Sequence, residues 1–241
     1  MKALIFIFVG LLIGLTIGFW IANAFNRTVS LSTENQQNSV SVQSAAAPEE
    51  NVEKLSREEI KAAFASAENR DFAFQKDLGL ALYRYSKLQN ERSFLPQLIK
   101  LLESANRLSN EKDVEILSAF ADVLFVTGSE NPVQVEKARN LYQKAIKSDP
   151  SDENVKTAYA STYLFSKPAQ PVAAIAELNR VLRQNPQNEI ALQLLVLALI
   201  QSEKFDVAEQ KLSELEKINP NNSAVPDLKV QLTQNELNRN P

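Results

Sequence analysis

The 241-residue sequence has no cysteine and no histidine, and only one methionine, one tryptophan and five glycines. The first two absences exclude the most. There is no thiol nucleophile, no thiolate or imidazole metal ligand, no disulfide, and no side chain whose ordinary pKa lies near neutrality. Lack of cysteine fits a reducing or an oxidising compartment equally. Glycine is too sparse for a phosphate-cradling loop, and no Asp-rich run has the spacing of a cation-binding loop. With no nucleophile, base or cofactor loop, the sequence points away from an enzyme, and no cofactor or metal is expected. Charge of one sign is also lacking: 26 Lys and Arg stand against 29 Asp and Glu, for a net charge of -3. The pairs Arg180/Arg183 and Lys144/Lys147 have helical spacing and acidic neighbours, which marks solvated helix faces rather than a nucleic-acid surface.

What is present is unevenly distributed. The chain is 44% hydrophobic and 23% charged, a folding composition. Apolar residues crowd the first 25 positions and return only after about position 60. From Ala3 to Phe25 the run is interrupted only by Thr16 and Asn23, with Trp20 near one end and Arg27 beyond it. At about 1.5 Å per residue it is long enough to cross a hydrocarbon core of about 30 Å, so residues 1–25 read as a single transmembrane anchor. A cleaved secretory signal is the alternative, because Ala22-Asn23-Ala24 has an Ala-x-Ala pattern and Lys2 gives a positive start. Gly10, Gly14, Gly18 and Ala22 fall four apart, a smooth stripe suited to helix pairing or self-association in a membrane. Glycine is also simply common in membrane helices.

Residues 26–52 are rich in Ser, Thr, Asn and Gln, with no apolar period, and read as a flexible polar linker. Beyond it the pattern is helical throughout, which predicts an all-α fold. Asp149-Pro150-Ser151, Asn185-Pro186-Gln187 and Asn219-Pro220-Asn221 each end a helical pattern, with the prolines 36 and 34 residues apart. Twelve residues before each proline stands Ala138, Ala174 or Ala208; eight before, Tyr142, Leu178 or Leu212; five before, Ala145, Val181 or Leu215. These offsets lie on one helix face, and the small residue admits a neighbouring helix. The preceding segments supply it: Leu117, Phe120, Ala121 and Leu124; Tyr159, Ala160 and Tyr163; Leu192, Leu195, Val196 and Leu199.

Three helical pairs of about 34 residues, each with a small residue early in the second helix and a closing proline, resemble the tetratricopeptide repeat family over residues 113–222. The first repeat carries about five extra residues, expected in the turn after Gly128, and the second about two near Pro168 to Pro171. Residues 53–112 read as a helical region with a degenerate repeat. There Leu78, Gly79 and Leu82 mark a first helix, and Leu95, Leu98, Leu101 and Leu102 a second without a small residue or closing proline. Residues 223–241, apolar at Leu228, Val230 and Leu232, suit a capping helix and tail.

The resemblance implies a helical solenoid whose first helices line a concave partner-binding groove. Carried over repeat by repeat, that lining is Glu115, Ser118, Asp122 and Phe125, then Asn154, Thr157, Ser161 and Leu164, then Ile190, Gln193, Leu197 and Ile200. Such a groove suits a protein or peptide partner in the form of an amphipathic or extended segment with apolar anchors. Several of these residues equally suit packing against a neighbouring repeat. The layout is similar to membrane-bound tetratricopeptide proteins of bacterial c-type cytochrome maturation. That likeness implies an apocytochrome chaperone on the inner membrane with its soluble part in the periplasm. A structural scaffold of an envelope, secretion or division assembly is the alternative.

Overall fold

The computed structural model describes residues 54–239. The expected anchor over 1–25, with Gly10, Gly14, Gly18 and Ala22, and the linker over 26–52 lie outside the described residues. Among the described residues there are ten helices and no strand. None of these helices is long and apolar enough to cross a membrane. They are α1 (Arg57–Ser66), α2 (Phe72–Leu88), α3 (Leu95–Leu108), α4 (Val114–Gly128), α5 (Pro132–Ser148), α6 (Glu153–Phe165), α7 (Pro171–Gln184), α8 (Glu189–Gln201), α9 (Phe205–Ile218) and α10 (Val225–Arg239). They fall into two units, Met1–Glu111 and Lys112–Pro241.

In the second unit the proline-ended motif acts as a stop and a turn together. Asp149, Asn185 and Asn219 follow the last residues of α5, α7 and α9, and their amides donate to the carbonyls of Ala145, Val181 and Leu215 at 2.8, 2.9 and 2.9 Å. Their side-chain oxygens accept from the amides two residues on, Ser151, Gln187 and Asn221, at 2.9, 3.1 and 3.1 Å. This Asx turn bends the chain around a proline that cannot continue the helix. Asp152 and Asn188 then cap α6 and α8, as Asp113 caps α4, each accepting from the amide three residues later. Pro132 and Pro171 open α5 and α7 in the first turn, where the missing N–H costs nothing.

The hairpins α4/α5, α6/α7 and α8/α9 pack through the residues the register singled out. Ala138, Ala174 and Ala208 have no exposed surface, and Leu178, Ala145 and Leu215 are as deeply buried. Each buried Leu is worth about 2–3 kcal/mol of transfer free energy, so the shared face holds each pair closed. Helix α10 buries Val225, Leu228 and Leu232 against α8 and α9. Val230, expected with that apolar set, is instead 54% exposed, because the stripe follows the helical steps 225, 228, 232 and leaves position 230 on the far side.

The extra residues of the first repeat do not sit in its turn, which spans only 129–131. They lengthen the helices: α4 and α5 have 15 and 17 residues, against 13 and 14 in each later pair. Extending a helix preserves the backbone hydrogen-bond ladder, whereas a longer turn would leave more amides to satisfy elsewhere. The second repeat keeps its extra residues in the connection 166–170, where the amide of Gln170 donates to Tyr163 O at 2.7 Å.

In the first unit α1 and α2 pack on α3. Gly79 in α2 lies against α3 so closely that a Cβ there would stand 3.0 Å from Leu102 Cδ2, so the small residue of this pair is on its first helix. Left-handed asparagines replace the closing prolines: Asn69, Asn90 and Asn110 have φ of 57, 47 and 53°, a conformation Asn tolerates better than most residues. Ser56 and Glu59 form a capping box at the start of α1. Phe64, Tyr85 and Phe94 meet around the ends of the helices, and Tyr85 Oη accepts from the Leu55 amide at 2.8 Å.

Gly128 ends α4 beneath the side chain of Gln134: a Cβ there would fall 2.7 Å from Gln134 Cβ and 1.8 Å from its Oε1. Rotating the amide away relieves only the second contact, so the first turn of α5 must also move. Gly128→Ala is therefore expected to destabilise the second unit by about 1–3 kcal/mol, measured by urea unfolding; an unchanged midpoint would show that the α4/α5 junction yields freely.

Candidate partner-binding face

The first helices of the three repeats, α4, α6 and α8, lie side by side, each touching the next. Their capping residues Asp113, Asp152 and Asn188 set a common register. Counted from the cap, positions 2, 9 and 13 of each helix remain open to solvent. Position 2 places Glu115, Asn154 and Ile190 on the surface; position 9 holds Asp122, Ser161 and Leu197, half-buried; position 13 exposes Val126, Phe165 and Gln201. Three large apolar side chains stand out: Val126 at 50%, Phe165 at 48% and Ile190 at 56% exposure.

Of the expected groove residues, Glu115, Asn154 and Ile190 are exposed, and Ser118, Asp122, Phe125, Ser161, Gln193 and Leu197 are half-buried. Thr157, Leu164 and Ile200 are a correction, since each is buried in the repeat core. The reason is angular. At about 100° per residue, positions 5 and 12 lie about 60–100° round the helix from positions 2 and 13, toward the paired helix. Val126 and Phe165 were missed for the same reason, one residue beyond the positions chosen.

Several polar groups on this face are already engaged. Ser118 and Thr157 donate to the carbonyls of Val114 and Glu153 at 2.8 and 2.7 Å, and Ser161 donates to Ala158 O at 2.7 Å. Asp122 accepts from the hydroxyl of Tyr142 on α5. Gln193 Nε2 donates to Asn222 Oδ1 at 3.0 Å, next to the start of α10. What the face offers a partner is therefore three exposed apolar side chains, Val126, Phe165 and Ile190, interspersed with Glu115, Asn154 and Gln201.

Polar couplings between repeats hold the columns in line. Glu153 Oε2 accepts from Asn185 and Asn188 at 2.8 and 2.9 Å, and Glu189 Oε2 accepts from Asn219 and Asn222 at 2.8 and 2.7 Å. The junction between the first and second repeats is built differently, because Val114, Asp149 and Asp152 occupy the equivalent places. There a buried guanidinium acts: Arg139 donates through Nε to Thr162 Oγ1 at 3.0 Å, and through Nη2 to Thr162 O at 3.1 Å and Ser166 Oγ at 3.2 Å. It also lies 4.0 Å from the centre of the Tyr163 ring. Burial, together with the bond to Tyr159, pushes the Tyr163 hydroxyl up to about 12. The Lys167 amide reaches back to Ser129 O at 3.3 Å, so the turns of the two hairpins are tied as well.

Residues 169–232 match the family model described as tetratricopeptide repeat. Among solved structures, a tetratricopeptide repeat protein from Parabacteroides merdae ATCC 43184 is similar with a TM-score of 0.59 at 16% identity, over 74% of this chain and 68% of that one. MamA from AMB-1 is similar with a TM-score of 0.50 at 20% identity, over 68% of this chain and 84% of that one. The Cut9–Hcn1 hetero-tetramer of APC/C is similar with a TM-score of 0.54 at 18% identity, over 73% of this chain and 33% of that one. At such identities the likeness is one of fold. Comparison with curated proteins gives no match.

The amide bonds from Asn188 and Asn185 hold the Glu153 carboxyl below its ordinary value of 4.5. A depressed carboxyl contributes stability above its unfolded pKa and loses it as pH falls through the folded value. Between neutrality and that acid range, wild type is expected to lose more stability than Glu153→Gln. Urea midpoints at a series of pH values check this, and parallel curves would mean that the junction does not depend on the charge.

Proposed function

Taking residues 169–232 as tetratricopeptide repeats, we propose that the chain is a binding protein whose second unit holds a polypeptide partner against α4, α6 and α8, and whose amino-terminal segment keeps it at a membrane. The observation that carries the first part is the set of exposed apolar side chains on the three first helices, Val126 and Phe165 at the carboxyl-terminal ends of α4 and α6 and Ile190 at the amino-terminal end of α8. Exposed aliphatic and aromatic groups on a preformed scaffold suit a segment that brings its own apolar anchors, as an amphipathic helix or an extended strand of an unfolded chain does.

The partner we propose is an unfolded apocytochrome awaiting haem attachment, with the protein anchored in a bacterial inner membrane and its repeats in the periplasm. Support comes from the layout, an apolar leader, a polar linker and a repeat domain with an apolar face, and from its likeness to membrane-bound proteins of c-type cytochrome maturation. An unfolded client offers side chains that a folded one keeps inside, so the same face would discriminate the apo from the holo form. A scaffold joining folded subunits is the second reading, favoured by the additional cleft described below.

Two experiments test the parts separately. Full-length protein in detergent is expected to bind a labelled apocytochrome and not the haem-loaded form, with Phe165→Glu plus Ile190→Glu weakening binding by about tenfold or more. Equal binding of both cytochrome forms, or of wild type and variant, would sink the client reading. For the anchor, the chain is expected to stay in the membrane pellet after alkaline carbonate washing, and a chain lacking residues 1–25 to leave it; release of the full chain would remove the membrane from the proposal.

A further inference from the structure

On α5, α6 and α7 the second unit has a cleft of about 490 Å³, apart from the open columns of the first helices. Its apolar part is chiefly the half-buried Ile146, with small open portions of Val181 and the Tyr159 ring beneath it, and its rim carries the cations Lys147, Lys156 and Arg180. Glu177 is the one carboxylate in the lining, and Arg180 Nη1 already binds it at 2.5 Å. The Tyr159 hydroxyl is committed as well, accepting from Gln143 Nε2 at 2.8 Å and sharing a proton with Tyr163 Oη at 2.7 Å. Lys156 donates to Gln184 Oε1 at 2.5 Å and is electrostatically coupled to the nearby carboxylates of Asp149 and Glu153. The lining thus pairs a small apolar floor with three cations against one carboxylate, in a protein whose net charge is -3.

We propose that this cleft is a second docking site, which takes an acidic segment of a partner protein by seating one of its apolar side chains on Ile146, Val181 and Tyr159. Charge complementarity selects that occupant. Carboxylates flanking an apolar residue can meet Lys147 and Lys156 on either side of the floor, whereas a basic segment would face like charge. The volume suits one or two side chains and not a whole helix, so the recognised element is short. The proposal does not rest on the client reading above, since none of the cleft residues belongs to the open columns of α4, α6 and α8. With both sites in use, the repeats would hold two chains at once.

The probe is a fluorescein-labelled Glu-Glu-Leu-Glu-Glu peptide, titrated by anisotropy with full-length protein in detergent at low salt. We expect saturable binding that Lys147→Glu plus Lys156→Glu weakens by about tenfold or more, and that a peptide with Gln for Glu does not show. Lys204→Glu plus Lys217→Glu, the same charge change away from the cleft, is expected to leave affinity unchanged. Replacing Leu by Ser in the peptide should weaken it several-fold, since the apolar floor is then unused. Circular dichroism melts establish that the variants fold, with Lys147→Gln plus Lys156→Gln standing in should the reversal not fold. Absence of binding, equal loss in both double variants, or retention in the cleft variant overturns the proposal. Equal affinity for the Ser peptide, or displacement by sulfate at matched ionic strength, also overturns it, by reducing the cleft to a general anion site.

Discussion

At Asp149, Asn185 and Asn219 a side-chain oxygen and a backbone amide together determine where one helix stops and where the next begins. The bond bends the chain before a proline that cannot extend the helix, and three residues after Asp149 and Asn185 the next cap takes over at Asp152 and Asn188, whereas after Asn219 the next helix begins later, at Val225. Because that interval is the same at Asp149 and Asn185, α6 and α8 start in phase. The open columns on α4, α6 and α8 are a consequence of this phase, and so is the burial of Ala138, Ala174 and Ala208 at their crossings. A residue gained or lost at the turn would rotate the following helix by about 100° and turn its apolar face away from its partner.

This dependence explains what could be read in the sequence and what could not. The core was legible, because its positions obey a period: every residue assigned to the second-helix face, from Ala138 to Leu215, is buried. The accommodation of the long first repeat was not, since the same five residues fit a longer turn or longer helices. Only the packing of Gln134 over Gly128 and the helix lengths show which was used. Surface positions were legible to within about one residue, enough to find Ile190 and Leu197 but not to separate Phe125 from Val126 or Leu164 from Phe165. Burial changes steeply across such a step, because adjacent residues point about 100° apart. The Arg139 coupling had no sequence signal at all: nothing in the period marks an arginine whose partners lie more than twenty residues away.

The two faces of the repeats also differ in chemistry. Along α4 and α6 the hydroxyls of Ser118, Thr157 and Ser161 are turned back on their own helices, and Val126, Phe165 and Ile190 are the large apolar groups that the first helices present. Across α5, α6 and α7 the cations at the cleft rim dominate instead. A single layer of helices serves both, since α6 gives Phe165 to one face and Lys156 to the other. Cores only two helices deep make this arrangement natural, because each helix has more than one side in reach of solvent.

The couplings at Glu153 and Glu189 are chemically the same, yet the first receives another repeat and the second receives only α10. The acceptor therefore does not distinguish a helical pair from a single helix as its neighbour. The stack behaves like a set of pieces with a standard connector. A further copy could be spliced between Asn188 and Asn222 and find the same carboxylate waiting on one side and the same pair of amides required on the other. Growth by duplication is open to the carboxyl-terminal end of this chain, whereas the Arg139 junction fits only the two helical pairs that it already joins.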